Sequence, residues 1–192
     1  MQNDQLYHRL VWQPGKWLHD DWWRAMGLQE WKAAYEDMPL PAQRELDKAI
    51  KQGRSRLGFH PVSLQELTPI QDVLLRAFER LPTLIVALGI SLSQCPDYLL
   101  WRPYRQALSS HLTEEQIAQL QAVWRGGERS PDIEPDALIP YAQRLGISAL
   151  HHVLIEDPVW QAVRYTLPDC AVVERSASHS PVPFFLRLER FL

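Results

Sequence analysis

The chain has 192 residues, of which 46% are hydrophobic and 22% charged, and its formal net charge is -3. This length supports one sizeable hydrophobic core, so we expect a single domain over residues 1–192. The composition argues against intrinsic disorder and against strong electrostatic attraction to nucleic acid. The two cysteines, Cys95 and Cys170, have no CxxC spacing, which fits a reducing compartment.

The first ten residues lack the basic and apolar regions of a secretory signal. No window approaches the ~20 consecutive apolar residues that a membrane-spanning helix needs. We therefore expect a cytoplasmic protein that does not insert into a membrane.

An N-terminal segment, residues 1–35, is rich in tryptophan. Large indole rings are costly to leave in water, so this density predicts a core or a contact surface. We expect most of the rings to pack inside the protein's own fold and the rest to form a partly exposed docking face. Five of the eight tryptophans fall within twenty residues: Trp12, Trp17, Trp22, Trp23 and Trp31.

Within that segment, the sequence His19-Asp20-Asp21 predicts the start of a helix. One aspartate would cap the helix, and the other would lie near the positive end of the helix dipole. The same letters offer an imidazole and two carboxylates for chemistry, but the structural interpretation is favoured.

Helical periodicity continues along the chain. A helix is expected over 41–53, with Leu46, Ala49 and Ile50 facing inward and Gly53 at its end. A second helix begins at Thr68, which forms a capping box with Gln71. Its apolar stripe runs to Leu81, and we expect Pro82 to end it.

Later helices follow the same rules. Thr113 and Gln116 form another capping box, and that helix should carry Trp124 and stop at Gly126-Gly127. Pro103 should kink or split the helix that contains it. The remaining predicted helices cover 83–92, 97–111, 136–145 and 148–155, followed by a short one that Asp157-Pro158 opens.

The sequence Leu-Gly-Ile-Ser occurs twice, at 88–91 and 145–148, each time after an apolar run. Glycine readily adopts the left-handed conformation that ends a helix, and serine can cap the next one. We interpret both copies as helix-ending turns. Scarce strand patterns and short connectors then predict an all-α fold, an irregular helical bundle.

The tail over 168–192 is ambiguous. It opens with turn-forming and small polar residues and ends in the apolar run FFLRLERFL, whose spacing fits one face of a helix or one face of a short extended segment. In either conformation we expect this tail to dock on the bundle or on a partner.

Motifs that carry chemistry are scarce. None of the seven histidines belongs to a zinc pattern, and adjacent His151 and His152 on a helix cannot easily face one ion. No phosphate-binding glycine loop, Rossmann fingerprint or nucleophile elbow is present. We expect no catalytic residue, no cofactor and no metal.

The densest basic patch lies on the helix predicted over 41–53 and just beyond it. Glu45 and Asp47 lie beside it, and the interleaved aromatic residues typical of single-stranded nucleic-acid binding are missing. A solvated helix face is the first interpretation, and contact with an acidic protein surface is the alternative. The patch consists of Lys48, Lys51, Arg54 and Arg56.

The arrangement of the whole chain resembles the K subunit of the type III secretion sorting platform, the YscK/MxiK/OrgA type. The resemblance rests on three segments: WQPGKWLHDDWW near the N-terminus, LPTLIVALGISL in the middle, and RLGISALHHVLIEDPVWQAVRYTLP over 144–168. It implies a non-enzymatic adaptor of a bacterial injectisome. Such an adaptor links the pods built by the Q-type protein, with the L-type stator, to the cytoplasmic domain of the inner-membrane ring protein.

Two alternatives remain open. A small helical enzyme or ligand-binding protein would line a pocket with the tryptophans. A secretion chaperone would bind an exported substrate instead. For an adaptor, the expected partner-binding residues are Trp12, Trp17, Trp22, Lys48, Lys51, Arg54, Phe184 and Phe185.

Overall fold

The computed structural model describes residues 2–64, 66–124, 126–171 and 180–192. The chain is 69% helical, with twelve α-helices and no strand among the described residues, which confirms the all-α prediction. None of these helices combines the length and the apolar character needed to cross a membrane. In chain order the helices are α1 Gln2–Trp12, α2 Asp20–Ala25, α3 Gln29–Lys32, α4 Leu40–Arg56, α5 Pro69–Arg76, α6 Leu81–Ser93, α7 Asp97–Leu100, α8 Arg102–Leu108, α9 Glu114–Val123, α10 Leu138–Leu154, α11 Pro158–Arg164 and α12 Val182–Phe191.

The chain divides into two compact units. Unit 1 comprises residues 1–78 and 154–169, and unit 2 comprises residues 79–153 and 170–192. Unit 1 is therefore built from two separate segments of the chain, the second of which begins after residue 153. The single domain expected from length stays a prediction.

In unit 1, helix α1 packs against α4, α5 and α11. The interior contains large apolar side chains from each of these helices, and Trp23 of α2 joins them. Asp157 caps α11 as predicted, because its carboxylate accepts hydrogen bonds from the backbone N–H groups of Val159 and Trp160, both at 2.9 Å. Representative core residues are Leu10, Trp23, Ile50, Leu74 and Trp160.

In unit 2, the central element is α6, which is apolar on nearly every side and is buried along most of its length. A helix that is hydrophobic all round must be surrounded by protein. Helix α12 packs against it. The C-terminal run FFLRLERFL is thus helical, and the extended alternative for it is wrong; residues 172–179 of the predicted tail lie outside the described residues.

The Leu-Gly-Ile-Ser sequences do not end helices. Gly89 lies inside α6, and Gly146 lies inside α10. A Cβ added at Gly89 would be 1.8 Å from the carbonyl oxygen of Ala142, and one at Gly146 would be 2.3 Å from that of Ile85. The two glycines let the backbones of α6 and α10 approach where a side chain would separate them. One helix, α10, therefore replaces the two predicted over 136–145 and 148–155.

Proline also acts differently from the prediction at one position. Helix α5 ends at Arg76, and Pro82 lies in the first turn of α6 rather than at the end of α5. A proline is well tolerated there because the first N–H groups of a helix have no intrahelical acceptor. Pro103 behaves as predicted: it separates α7 from α8.

Local capping rules located two helix starts correctly. At Thr68 and Thr113, the threonine hydroxyl accepts a hydrogen bond from the backbone N–H of the glutamine three residues later, and Oε1 of that glutamine accepts one from the backbone N–H of the threonine. Both capping boxes are confirmed. Two helix ends were misplaced, because α4 continues through Gly53 to Arg56 and α9 ends at Val123, leaving Trp124 just beyond the helix.

Candidate interaction surfaces

The N-terminal tryptophans divide between core and surface. Trp23 is buried, and Trp17 is half-buried with its ring edge-on to Phe78, 5.4 Å between centroids. Trp12 and Trp31 keep 49% and 45% of their area exposed. Both uses proposed for the cluster are therefore present within 20 residues.

Trp22 was expected at a partner surface, and the structure buries it. Its indole Nε1 donates a hydrogen bond to the carbonyl oxygen of Leu167 at 2.9 Å. The ring lies edge-on to Tyr165, 4.8 Å between centroids. With its N–H satisfied and its ring enclosed, Trp22 is a core residue of unit 1.

Arg54 was expected on a solvated basic face, but it is 1% exposed. Its Nη1 donates to the carbonyl oxygen of Leu10 at 2.8 Å, and its Cζ lies 4.1 Å from the ring centroid of Phe59 and 4.8 Å from that of Tyr165. Burial lowers the pKa of Arg54 to about 10. The aromatic faces and one carbonyl compensate this charge in part, while Nε and Nη2 are buried without a hydrogen-bond partner among the described residues. Arg54 therefore lies in the interior of unit 1 and is not available to a partner.

An exposed aromatic and cationic surface remains where α1 ends beside α4. The Nζ of Lys51 lies 4.9 Å from the ring centroid of Trp12, and the His8 ring lies 6.1 Å from the same ring. Lys48 is exposed and reaches Glu45 on its own helix at 2.6 Å. We name His8, Trp12, Lys48 and Lys51 the Trp12 surface.

A shallow groove of about 280 Å³ adjoins the Trp12 surface. Tyr7 forms part of its wall, and its hydroxyl donates to the carbonyl oxygen of Val62 at 3.0 Å, which holds the 61–64 segment against α1. The side chain of Val62 is exposed there. Trp12 belongs to both the groove and the Trp12 surface, so the apolar part of the groove continues to the ring that Lys51 contacts. Its lining residues are Asp4, Tyr7, His8, Val11, Trp12, Pro61, Val62, Ser63 and Leu64.

Asp47 is a buried carboxylate that sequence reasoning had assigned to the surface. Its Oδ1 accepts from the backbone N–H of Gly15 at 2.9 Å and from the Tyr35 hydroxyl at 3.0 Å. Burial raises the pKa of Asp47, and the same burial together with the neighbouring carboxylate raises that of Tyr35. Asp47 thereby links the Pro14–Lys16 turn to α4. The two groups are 32 residues apart, so no local sequence pattern predicts this link.

Unit 2 contains a larger groove, of about 550 Å³. Phe184, expected at a partner surface, lines it, whereas its neighbour Phe185 is fully buried against the core and is not available to a partner. The groove lies between the end of α6, the residues after α9 and the first turns of α12. Its lining residues are Ser91, Leu92, Gln94, Trp124, Gly126, Ser180, Pro181, Pro183, Phe184 and Arg187, and we name it the α12 groove.

A protein-family model described as a type III secretion system subunit matches residues 5–169. The chain belongs to this type III secretion system subunit family. No curated protein and no solved structure matches the chain. The sequence resemblance to a type III secretion subunit is thus confirmed over most of the chain.

In this secretion subunit, the predicted helix start at His19-Asp20-Asp21 is confirmed, with a different cap. His19 occupies the cap position, and its Nδ1 accepts from the backbone N–H of Asp21 at 3.3 Å. Asp20 pairs with Lys32, and Asp21 pairs with Arg24. The imidazole and both carboxylates are therefore engaged in holding α2.

The described part of this secretion subunit contains no group of three or more histidine, cysteine or acidic residues placed to hold a metal ion. His151 is buried while His152 is exposed, so the adjacent pair faces in different directions. Sequence reasoning also missed one exposed aromatic residue, Trp101, which is 52% exposed between α7 and α8. Its position follows from the helix break before Pro103, which was predicted.

Proposed function

We propose that this type III secretion subunit is a non-enzymatic cytoplasmic adaptor of the sorting platform. It links the pods built by the Q-type protein, with the L-type stator, to the cytoplasmic domain of the inner-membrane ring protein. Family membership over residues 5–169 supports a role within the secretion apparatus. The observation that carries the adaptor role is the Trp12 surface, which has the composition of a protein-binding site.

A half-exposed tryptophan with a lysine over its ring suits protein recognition. Tryptophan is enriched among the residues that dominate binding energies, and apolar area surrounded by polar groups is typical of interfaces. Lys51 and His8 already orient the Trp12 ring. Binding of a partner would therefore cost little side-chain conformational entropy at this residue. Lys48 and Lys51 favour a partner that presents carboxylates.

The test is co-expression of the full chain with the ring and pod proteins of its own secretion system, followed by affinity capture. We expect both proteins to co-purify with the wild type. Trp12→Ala should weaken capture of one of them about thirtyfold or more, since hot-spot truncations cost about 2 kcal/mol or more. Its melting temperature should change little, because the Trp12 ring is half exposed.

Trp31→Ala is the matched control, because Trp31 has nearly the same exposure and lies outside the Trp12 surface. It should leave capture unchanged. Lys51→Ala should weaken capture, whereas Arg56→Ala, an exposed cation on the same helix, should not. Capture that survives the double variant Trp12→Ala/Lys51→Ala would remove this surface from the proposal.

The same capture distinguishes the alternatives. Recovery of an exported substrate in place of ring and pod proteins would favour a chaperone. Recovery of a small metabolite alone would favour a ligand-binding protein or enzyme with a tryptophan-lined pocket. Either result would overturn the adaptor function.

A further inference from the structure

The walls of the α12 groove are fixed by contacts on their far sides. Phe185 and Leu188 of α12 are fully buried, and Arg80 Nη2 lies 3.1 Å from the Glu189 carboxylate. These contacts hold one face of α12 against unit 2. The next residues around the helix, Phe184 and Arg187, are left facing the groove.

The opposite wall is held by a close backbone approach. A Cβ added at Gly127 would be 2.2 Å from the carbonyl oxygen of Gln94, so only glycine fits there. The backbone N–H of Arg129 donates to that same carbonyl at 3.2 Å. The segment after α9 is thereby fastened to the end of α6. A groove with walls held in this way loses little conformational freedom when it is filled.

The described lining residues of the groove carry charge of one sign only. Leu92, Trp124 and Phe184 supply an apolar, half-buried floor. Arg187 is the one charged side chain among the described lining residues. Its Cζ lies 5.6 Å from the ring centroid of Phe191, and no carboxylate of the described chain forms an ion pair with it.

We propose that the α12 groove binds a short segment of a partner protein whose apolar side chains fill the floor and whose carboxylate pairs with Arg187. The proposal rests on the proposed adaptor function, because a protein that links two assemblies needs a second surface besides the Trp12 surface. A peptide fits better than a small molecule. Small-ligand pockets enclose most of the surface of their ligand, whereas this groove is open to solvent, with Gln94, Gly126 and Pro183 exposed along it.

The experiment places the photo-crosslinking residue p-benzoylphenylalanine at position 184 of the full chain in secreting cells. Position 101, an exposed tryptophan of unit 2 that does not line the groove, serves as the matched control. We expect position 184 to crosslink to one ring or pod protein, at a peptide that contains apolar residues and an aspartate or glutamate. Position 101 should give at most a trace of this product.

Charge reversal then tests the carboxylate. Arg187→Glu should reduce the crosslink at position 184 about tenfold, because it replaces attraction by repulsion in a partly desolvated site. Arg190 is exposed on the same helix, and Arg190→Glu makes the same change of charge. This control variant should leave the crosslink yield unchanged. Circular dichroism and melting temperature must match the wild type for every variant compared.

Several outcomes overturn the proposal: an equal crosslink from position 101, a crosslinked peptide without acidic residues, a yield insensitive to Arg187→Glu, or a crosslink only to the chain itself. A small molecule retained by the wild type in native mass spectrometry and lost in Phe184→Ala would also overturn it, in favour of a ligand pocket. Wild-type capture of ring and pod proteins alongside any of these results would leave the adaptor function standing without the groove.

Discussion

Asp47 accepts hydrogen bonds from two donors. Substitutions at this position can separate the contribution of these hydrogen bonds to stability from that of the carboxylate charge. Asp47→Ala leaves the Gly15 N–H and the Tyr35 hydroxyl without their acceptor in a buried site. We expect the free energy of unfolding to fall by about 1 to 3 kcal/mol for each donor left unsatisfied. Asp47→Asn keeps an oxygen at that position and should lose much less. Urea unfolding at pH 7 measures both.

The pH dependence of stability provides a second test of the same carboxyl. Burial raises the pKa of Asp47 above its unfolded value of 3.8. Between these two values the folded state binds more protons than the unfolded state, so stability must fall as pH rises through that window. Asp47→Asn should remove this fall. A wild type and an Asp47→Asn variant with parallel pH profiles would contradict the raised pKa.

At Arg54 we expect removal of a charge to cost little stability, because this charge is buried without a carboxylate partner among the described residues. Arg54→Met keeps the long apolar stem between Phe59 and Tyr165 and removes a desolvated charge. Arg54→Ala leaves a cavity there. We expect Arg54→Met to be more stable than Arg54→Ala by about 2 to 5 kcal/mol in guanidinium unfolding. Equal losses would show that the hydrogen bond to Leu10 outweighs packing.

Sequence reasoning identified the tryptophan cluster and could not decide which rings are buried. The reason is physical: the acceptor for Trp22 is the carbonyl of Leu167, which lies 145 residues away. Arg54 was misassigned for the same reason, since the carbonyl it binds belongs to Leu10, 44 residues away, and the Tyr165 ring it contacts comes from the end of α11. Periodicity records which face of a helix is apolar, not which distant groups will enclose a charge.

At the scale of the elements, the crossing of α6 and α10 depends on two glycines. Gly89→Ala and Gly146→Ala each place a Cβ within 2.3 Å of a backbone oxygen of the other helix, and a backbone cannot yield as a flexible side chain does. We expect each to lower the free energy of unfolding by about 1 to 3 kcal/mol or more.

Gly53→Ala is the matched control for that crossing, because Gly53 also lies inside a helix but faces only the side chain of Met26. It should be neutral, or should stabilise α4 by up to about 1 kcal/mol through helix propensity. Chemical denaturation of the three variants decides the comparison. A similar loss in all three would mean that the helix crossing does not determine the effect.

The same glycines explain which elements the sequence predicts well. Capping boxes at Thr68 and Thr113 act over three residues, so their letters suffice to place α5 and α9. The sequence Leu-Gly-Ile-Ser is compatible with the end of a helix. It is equally compatible with a glycine inside a helix that lets the backbone of another helix come close. The difference lies in a contact between residues more than 50 positions apart, which local pattern does not contain.

At the scale of the whole molecule, the question is whether the two units unfold together. The chain passes between them three times, after residues 78, 153 and 169. Unit 1 is complete only when 154–169 has returned to it, so residues 79–153 of unit 2 lie in sequence between two segments of unit 1. We therefore expect one cooperative transition, with calorimetric and van't Hoff enthalpies in agreement.

Calorimetry of two variants makes this test specific, because each destabilises a different unit. Asp47→Ala acts in unit 1 and Gly89→Ala acts in unit 2. If the chain unfolds cooperatively, both substitutions lower the temperature of the same single transition, and the double variant lowers it by about the sum, since the sites share no partner. Two transitions, each shifted by only one substitution, would show instead that the units are independent domains. That result would overturn the single-domain prediction while leaving the family assignment and the all-α fold unaffected.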